Sequence, residues 1–266
     1  MSQFFSYLLI LFRSTTLSIP VNSLFETTYL FAAYDTEHLV LLLGFLFFGI
    51  AFFRVLRSRQ EPEQRKVLLG IALLLSATQL LKVPMNLYLG IFDIQNDIPL
   101  HLCNFLPFVL VWMYATGSRK VWGIIFFWII LGVSQANLTP SVEFSLFHYD
   151  AIRYWMVHMG LVLLALYPAL IWKWELKRKD ILRSVGWLNG AAVLIYGINL
   201  LLNSNYMYLM AKPPGTTFFS ILPEWPVYIL VLEVILVAWS FMVYGLFKWV
   251  QSKFRITPQS SRARIA

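Results

Sequence analysis

The sequence predicts an all-α, polytopic membrane protein: a bundle of seven transmembrane helices with its amino terminus outside and its carboxy terminus in the cytoplasm. Apolar residues make up 59% of the 266 residues and charged residues only 13%, at a mean hydropathy of +0.68. A soluble domain carries about twice that charged fraction, so the composition excludes this class. The apolar residues form seven long runs, and most basic residues lie in alternate loops between them. The net charge of +8 therefore indicates membrane topology rather than a nucleic-acid partner.

The first 35 residues fit neither a cleaved signal peptide nor a spanning helix. The apolar stretch at residues 4–12 is too short to cross a bilayer, and no basic segment precedes it. Pro20 then interrupts any helix. We predict an interfacial helix and a loop on the outer surface for residues 1–35, with a short re-entrant segment as the alternative.

Seven apolar runs approach or exceed the roughly 20 residues that a transmembrane helix needs. The third and fourth runs are short, so they must draw on flanking residues to cross. Together the runs define a transmembrane domain at residues 36–252, which leaves residues 253–266 as a cytoplasmic tail. The runs lie near residues 38–56, 67–91, 100–115, 121–135, 153–171, 185–202 and 226–250.

The loops between these runs alternate in charge. The first, third and fifth loops and the tail are rich in lysine and arginine, whereas acidic residues such as Asp93, Asp97 and Asp150 lie in the other loops. Positively charged loops stay in the cytoplasm, so this pattern places the amino terminus outside. The expected location is a cell membrane, as a multi-pass protein of a bacterial cytoplasmic membrane.

Polar side chains concentrate in the outer half of the predicted bundle. Ionisable groups in hydrocarbon cost several kcal/mol unless they are paired or hydrated, so Lys82, His158 and Glu233 should face the bundle interior. We predict one polar cavity that opens toward the outer leaflet, with Lys82 and Glu233 as a buried charge pair. The alternative is a set of interhelical hydrogen bonds that only hold the helices together.

Cys103 is the only cysteine, so the chain forms no internal disulfide and no cysteine-based metal cage. A free thiol becomes a nucleophile when a histidine or a positive charge favours its thiolate. His101 lies two residues away, and on a regular helix the two side chains diverge. His158 begins the fifth helix at a depth similar to that of Cys103, so it is the better partner. The alternative for Cys103 is a small, buried apolar side chain.

Amides near such a thiol would complete a site for acyl transfer. A cysteine, a histidine and hydrogen-bond donors for an oxyanion are the minimum set for chemistry through a thioester. Gln135, Asn137 and Asn199 are the candidate polar contacts, and His101 is expected at the same cavity.

The headgroup level offers a second group of polar residues. Arg153, Asn203 and Lys212 could bind a lipid phosphate at the outer surface. Helix capping beside an interfacial belt of tyrosine and tryptophan explains the same residues equally well.

Several separated motifs occur in order along most of the chain. They are PLHLCN at 99–104, SQANLTP at 134–140, RYWMVH at 153–158, NLLLNSNYMYLMAKPP at 199–214 and EWPVY at 224–228. With these motifs the chain resembles the YwaF family of bacterial membrane proteins, which is related to animal transmembrane protein 164. The resemblance implies a seven-helix bundle. The animal member is described as an acyltransferase that acts on ether phospholipids through a cysteine and a histidine, and the matching positions here are Cys103 and His158.

The expected function is that of an integral membrane lipid-modifying enzyme, a thioester-forming acyltransferase or acyl hydrolase acting on phospholipids at the outer leaflet. Its partner would be a membrane phospholipid or acyl-chain substrate, with Cys103 as nucleophile and His158 as general base. No phosphate-binding glycine loop and no paired metal-ligand spacing occur, so we expect neither a cofactor nor a metal. The alternatives are a small-solute or lipid transporter and a non-catalytic membrane scaffold, although no broken helices recur in two halves.

Overall fold

The computed structural model describes residues 30–213 and 218–253, apart from the side chain of Phe218. Within these residues seven apolar helices follow one another, and six of them are long enough to span a membrane. Only α3, with 15 residues, is shorter. The prediction of an all-helical polytopic membrane protein is confirmed. The helices are α1 (Thr36–Leu56), α2 (Glu61–Tyr88), α3 (Leu102–Thr116), α4 (Arg119–Leu138), α5 (Tyr149–Leu170), α6 (Arg178–Leu202) and α7 (Val227–Lys253).

Residues 30–35 form a loop on the surface of the bundle. The Phe31 N–H donates to the Glu143 carbonyl oxygen at 2.9 Å, beside an isolated bridge between Leu30 and Phe144. The predicted interfacial helix before this loop and the tail beyond residue 253 lie outside the described residues.

Several helices extend beyond the predicted apolar runs. The α2 helix begins at Glu61 rather than at residue 67, and the α6 helix begins at Arg178 rather than at residue 185. Both extensions are polar first turns: Pro62 stands near the start of α2, and Asp180 forms a capping box with Lys177. A hydropathy criterion misses such turns because they continue the helix into the polar interface.

An arginine binds the carboxy-terminal end of the short α3 helix. The Arg65 guanidinium donates to the carbonyl oxygens of Tyr114 at 2.5 Å and Ala115 at 2.7 Å, which have no partner within the helix. Gly117 ends the helix in the left-handed conformation, with φ of 65°. A Cβ atom at Gly117 would lie 3.0 Å from the Arg65 guanidinium, so glycine also makes room for this cap.

The α4 helix contains a turn of π-helix. Residues Trp128–Val133 form this wider turn between two α-helical segments, Arg119–Phe127 and Ser134–Leu138. The Trp128 indole N–H donates to the Ser184 carbonyl oxygen at 3.1 Å and so fixes the turn against α6. A π turn adds one residue to the helix and changes which side chains after it face the bundle interior.

The core lies around α3, α4 and α5, while α1, α6 and α7 are peripheral and leave most of their apolar surface exposed. Large buried aromatic side chains fill the inner end. Tyr114 donates to the Leu164 carbonyl oxygen at 2.6 Å, Trp122 donates to the Ala165 carbonyl oxygen at 2.9 Å, and Trp172 packs beside them. The opposite end of the bundle, in contrast, contains a cavity.

Candidate active site

One cavity of about 610 Å³ lies at the end of the bundle that is predicted to face outside. It collects residues from every helix between α2 and α7, together with the loop that follows α6. Its lining is mostly apolar, and the part formed by Lys82, Asn96 and His101 is its mouth. The polar residues that line it include Lys82, His101, Cys103, Asn104, Gln135, Arg153, His158, Asn189, Tyr208 and Glu233.

Cys103 lies in the first turn of α3 and lines this cavity. Its side chain is half-buried, and its Sγ–H donates to Asn104 Oδ1 at 3.5 Å. In this first turn the Asn104 N–H donates to the carbonyl oxygen of the N-cap residue His101 at 2.9 Å. Pro107 also lacks the N–H that would otherwise bond the Cys103 carbonyl oxygen. The thiol therefore lies at the start of α3, within the lining of the cavity.

His158 lies on α5 in a defined tautomer. Its Nδ1 is 2.8 Å from the Tyr154 carbonyl oxygen, one turn earlier. A carbonyl oxygen only accepts hydrogen bonds, so in the neutral ring Nδ1 carries the proton and Nε2 keeps a free lone pair. The Tyr154 ring stacks on the imidazole with the centroids 4.0 Å apart. The ring is therefore fixed with a basic nitrogen in a buried wall of the cavity.

Two cations stand near the thiol. Arg153 donates to Gln79 Oε1 at 2.9 Å and to Asp150 Oδ1 at 2.7 Å, which fixes its guanidinium at the cavity edge. Lys82 Nζ is 2.9 Å from Asp97 Oδ1. The positive charges of Arg153 and Lys82 both interact electrostatically with Cys103. Each cation is also paired with a carboxylate, so the group as a whole is close to neutral.

The loop residues around Lys82 carry shifted pKa values. Burial, followed by the nearby Lys82 charge, lowers the pKa of His101 to about 4, so His101 is neutral at pH 7. Burial alone would raise the pKa of Asp97. Hydrogen bonds from Asn86 and Asp93 and the Lys82 charge outweigh that effect, so the pKa of Asp97 lies below its usual value. Asp97 therefore remains ionised and holds Lys82 at the mouth.

The predicted charge pair between Lys82 and Glu233 is wrong. Lys82 pairs with Asp97, because the loop after α2 folds back over the end of that helix. Glu233 faces α6 instead and accepts a hydrogen bond from Asn189 Nδ2 at 2.8 Å. Lys82 and Glu233 both line the cavity, but each has a different partner.

Five of the predicted contact and catalytic positions converge on the cavity, and four do not. His101, Cys103, Gln135, Arg153 and His158 line it. The other four, Asn137, Asn199, Asn203 and Lys212, lie outside its lining.

Asn199 and Lys212 have side-chain partners elsewhere and Asn203 ends α6, whereas the buried Asn137 Oδ1 has no hydrogen-bond partner among the described residues. The backbone carbonyl of Asn137 accepts from His38 Nε2 at 2.8 Å, and Asn199 binds the backbone of Tyr206 through both ends of its amide. Asn203 ends α6 in the left-handed conformation, and Lys212 pairs with Glu224 at 2.8 Å. Asn203 therefore caps α6, and Asn199 joins α6 to the loop that follows it. The depth of a residue in the membrane, as predicted from sequence, does not show whether its amide binds nearby backbone or lines the cavity.

Sequence reasoning missed three residues of the site. Tyr154 stacks on the histidine, Asn189 binds Glu233, and Tyr208 enters the cavity from the loop after α6. Asn189 carried a signal, since it is a lone amide within an apolar run. The two tyrosines carried none, because tyrosine is common near a membrane interface.

The four histidines do not meet. His38 bonds the Asn137 carbonyl oxygen, His148 caps α5, and only His101 and His158 line the cavity. In residues 30–213 and 218–253, no group of three or more His, Cys, Asp and Glu side chains is placed to hold a metal ion.

Comparison with known families identifies the chain. The model of the TMEM164 family matches residues 33–244. The chain belongs to this family. The match includes α1 to α6 and most of α7, and with them every cavity residue named above. Searches of curated proteins and of solved structures found no match. Membership in the TMEM164 family thus supports a multi-pass membrane protein, in agreement with the fold.

Proposed function

We propose that this member of the TMEM164 family is an integral membrane lipid-modifying enzyme that transfers an acyl chain through a thioester on Cys103. The observation that carries the proposal is that Cys103 and the unprotonated Nε2 edge of His158 belong to one cavity. A thiol at a helix start and an oriented imidazole base are the two groups that such chemistry needs.

The first step would form the thioester. His158 Nε2 takes the thiol proton, and the sulfur attacks the carbonyl carbon of a phospholipid ester. The tetrahedral intermediate then collapses with cleavage of the ester C–O bond, and His158 returns the proton to the leaving alkoxide oxygen. The products are an acylated Cys103 and a lysophospholipid.

The second step would release the acyl chain. The hydroxyl of a lysophospholipid, or water, attacks the thioester carbonyl while His158 takes its proton. The C–S bond breaks, and the sulfur recovers that proton. Transferase and hydrolase differ only in this attacking hydroxyl, so the same residues serve either reaction.

The shape of the cavity supports an acyl substrate. From its mouth the cavity extends along one face of α7, from Tyr228 to Trp239, with Leu188 and Ala192 of α6 also in its lining. This part is apolar apart from the hydrogen-bonded pair of Glu233 and Asn189. The eleven helical steps from Tyr228 to Trp239 correspond to a length of about 16 Å. An ester at the mouth would therefore reach the thiol while its chain lies along α7. The aromatic packing at the inner end favours an enzyme over a solute transporter, since a transporter needs a path through the bundle.

The experiment compares acylation of the purified protein in detergent and in phospholipid vesicles. Intact mass would report the acyl-enzyme formed with an activated long-chain ester, and lysophospholipid would report turnover. C103S should abolish both signals. H158N keeps a donor to the Tyr154 carbonyl oxygen but lacks Nε2, so acylation should fall by about 100-fold or more.

A matched histidine provides the control. His148 stands outside the cavity lining and caps α5 by accepting the Asp150 N–H, a role that asparagine also fills well. H148N should therefore acylate at the wild-type rate. Lipid turnover that persists in C103S, or acylation of H158N at the wild-type rate, would refute the proposed mechanism.

A further inference from the structure

The loop after α6 holds two consecutive residues in an unfavourable backbone conformation. Met207 has φ of 58° and Tyr208 has φ of 56°, although neither is glycine. Such a residue is strained, because its Cβ lies too close to the following carbonyl oxygen. Strain of this kind persists only when surrounding contacts fix the backbone, and it is concentrated at functional sites.

Buried hydrogen bonds fix this loop from three sides. Asn199 binds both the N–H and the carbonyl oxygen of Tyr206, at 2.8 and 2.9 Å. The Tyr206 hydroxyl donates to the Ile94 carbonyl oxygen at 2.6 Å, and the ring is fully buried. From α7, the Tyr228 hydroxyl donates to the Tyr208 carbonyl oxygen. Contacts from α6, the α2–α3 loop and α7 thus hold a strained turn over the cavity mouth.

The strained turn directs the Tyr208 side chain into the cavity. Its ring packs against His101, with the centroids 5.1 Å apart, and against Phe219 at 5.8 Å. Among the described residues, the Tyr208 hydroxyl has no hydrogen-bond partner. Burial, and then the proximity of Cys103, raise the pKa of Tyr208. The hydroxyl therefore keeps its proton at neutral pH and is free to donate it in a hydrogen bond beside the thiol.

We infer that the Tyr208 hydroxyl is a catalytic hydrogen-bond donor that stabilises the oxyanion formed when Cys103 attacks an ester carbonyl. This inference rests on the proposed function. As the C–S bond forms, the carbonyl π pair moves onto oxygen, and the Tyr208 O–H donates to that oxygen without transferring its proton. When the intermediate collapses, the carbonyl re-forms and the hydrogen bond weakens.

The other tyrosine hydroxyl near the thiol is already occupied. Tyr154 donates to the Ala136 carbonyl oxygen at 2.8 Å and accepts from the Ser141 N–H at 3.4 Å. The amides of Asn104 and Gln135 also line the cavity, on flexible side chains. Tyr208 differs because its backbone is fixed, so its hydroxyl is preorganised for a charge that develops only during the reaction.

The test uses two electrophiles that react with the same sulfur. An activated long-chain ester passes through an oxyanion, whereas iodoacetamide alkylates at a saturated carbon and forms none. Y208F keeps the ring that packs on His101 and removes only the hydroxyl. Acylation of Y208F should fall by about 100-fold, while its alkylation should stay within about twofold of the wild-type rate. Y196F, which alters an exposed tyrosine of α6, is the matched control and should change neither rate.

Each other outcome overturns the inference. Equal loss of acylation and alkylation in Y208F would assign Tyr208 to positioning the thiol, and no loss in either would leave it without a role in the reaction. Thermal melting of Y208F separates both outcomes from unfolding. Failure of the proposed function itself is distinguishable, because the wild-type protein would then form no acyl-enzyme at Cys103.

Discussion

The proton on His158 is fixed by a backbone carbonyl rather than by a carboxylate. The Tyr154 carbonyl oxygen orients the ring, and the positive charge of Arg153 acts on the imidazole. Asp150 pairs with that arginine and so offsets its repulsion of an imidazolium. A site of this kind fixes the tautomer well but gives little stabilisation to a protonated ring, which suits a base that returns its proton within the same step.

A second histidine predicts how stability depends on pH. His101 packs beneath Tyr206 and Tyr208, and burial, followed by the Lys82 charge, lowers its pKa to about 4. An unfolded chain binds this proton near pH 6.5, so between the two values the unfolded state carries more protons than the folded state. Stability must then fall as the pH is lowered from 6.5 to 4. We expect the melting temperature in detergent to drop by roughly 3–6 °C.

H101N is the control for this pH dependence. In the wild type, His101 Nδ1 accepts a hydrogen bond from the Met207 N–H at 3.3 Å. Asparagine retains an acceptor for this N–H, but its side chain does not titrate. The fall between pH 6.5 and 4 should therefore be smaller in H101N than in the wild type. Asp97, whose pKa lies below its usual value, would still lose its contribution at lower pH. An identical fall in both proteins would assign the effect to another group.

Single residues were predictable where they broke an apolar pattern. Cys103 and His158 stand out because both are polar groups in long apolar runs, and helix position gave their depth. The partner of Lys82 was not predictable, because Asp97 lies in a loop and its distance from α2 depends on how that loop folds. Tyr208 was missed for a similar reason, since only the tertiary contacts of its loop turn it into the cavity.

At the scale of elements, the π turn of α4 sets the orientation of Gln135. This turn, Trp128–Val133, precedes the last helical segment, so its extra residue determines which side chains of that segment reach the cavity. Deletion of Ile130 should convert the turn to regular α-helix and rotate the following residues by about 100°. We expect acylation of Cys103 to fall by at least about tenfold, as measured by intact mass.

The matched variant I130A keeps the extra residue and shortens the same half-buried side chain. It should retain the π turn and acylate at close to the wild-type rate. Equal activity of the deletion variant and I130A would mean that the orientation of Gln135 does not matter for the reaction. Thermal melting of both variants would show whether the deletion has instead destabilised the bundle.

The positions of the helices followed from hydropathy, but their ends did not. Apolar content located all seven helices, whereas the polar first turns of α2 and α6 were assigned to loops. The π turn also left no distinct pattern in the sequence, because Trp128–Val133 is as apolar as the α-helical segment before it. Its geometry depends on packing against α6 through Trp128, which a single chain's hydropathy does not encode.

At the scale of the whole molecule, the basic loops and the cavity lie at opposite ends of the helix bundle. The cavity is formed by the carboxy-terminal ends of α2 and α4 and by the amino-terminal ends of α3, α5 and α7. The loops at the other end carry most of the basic residues, including Arg57, Arg119 and Lys173. If the positive end lies in the cytoplasm, the cavity opens at the outer leaflet, and the proposed reaction acts on lipids there.

Cysteine labelling in intact cells tests this orientation. In a C103S background the chain has no other cysteine, so one introduced thiol reports one loop. Glu143 and Ser58 are both exposed, the first in the loop between α4 and α5 and the second between α1 and α2. A membrane-impermeant maleimide should label E143C in intact cells and S58C only after permeabilisation, because the basic loop lies inside. The reverse pattern would place the cavity at the cytoplasmic leaflet and would move the proposed acyl transfer to that side.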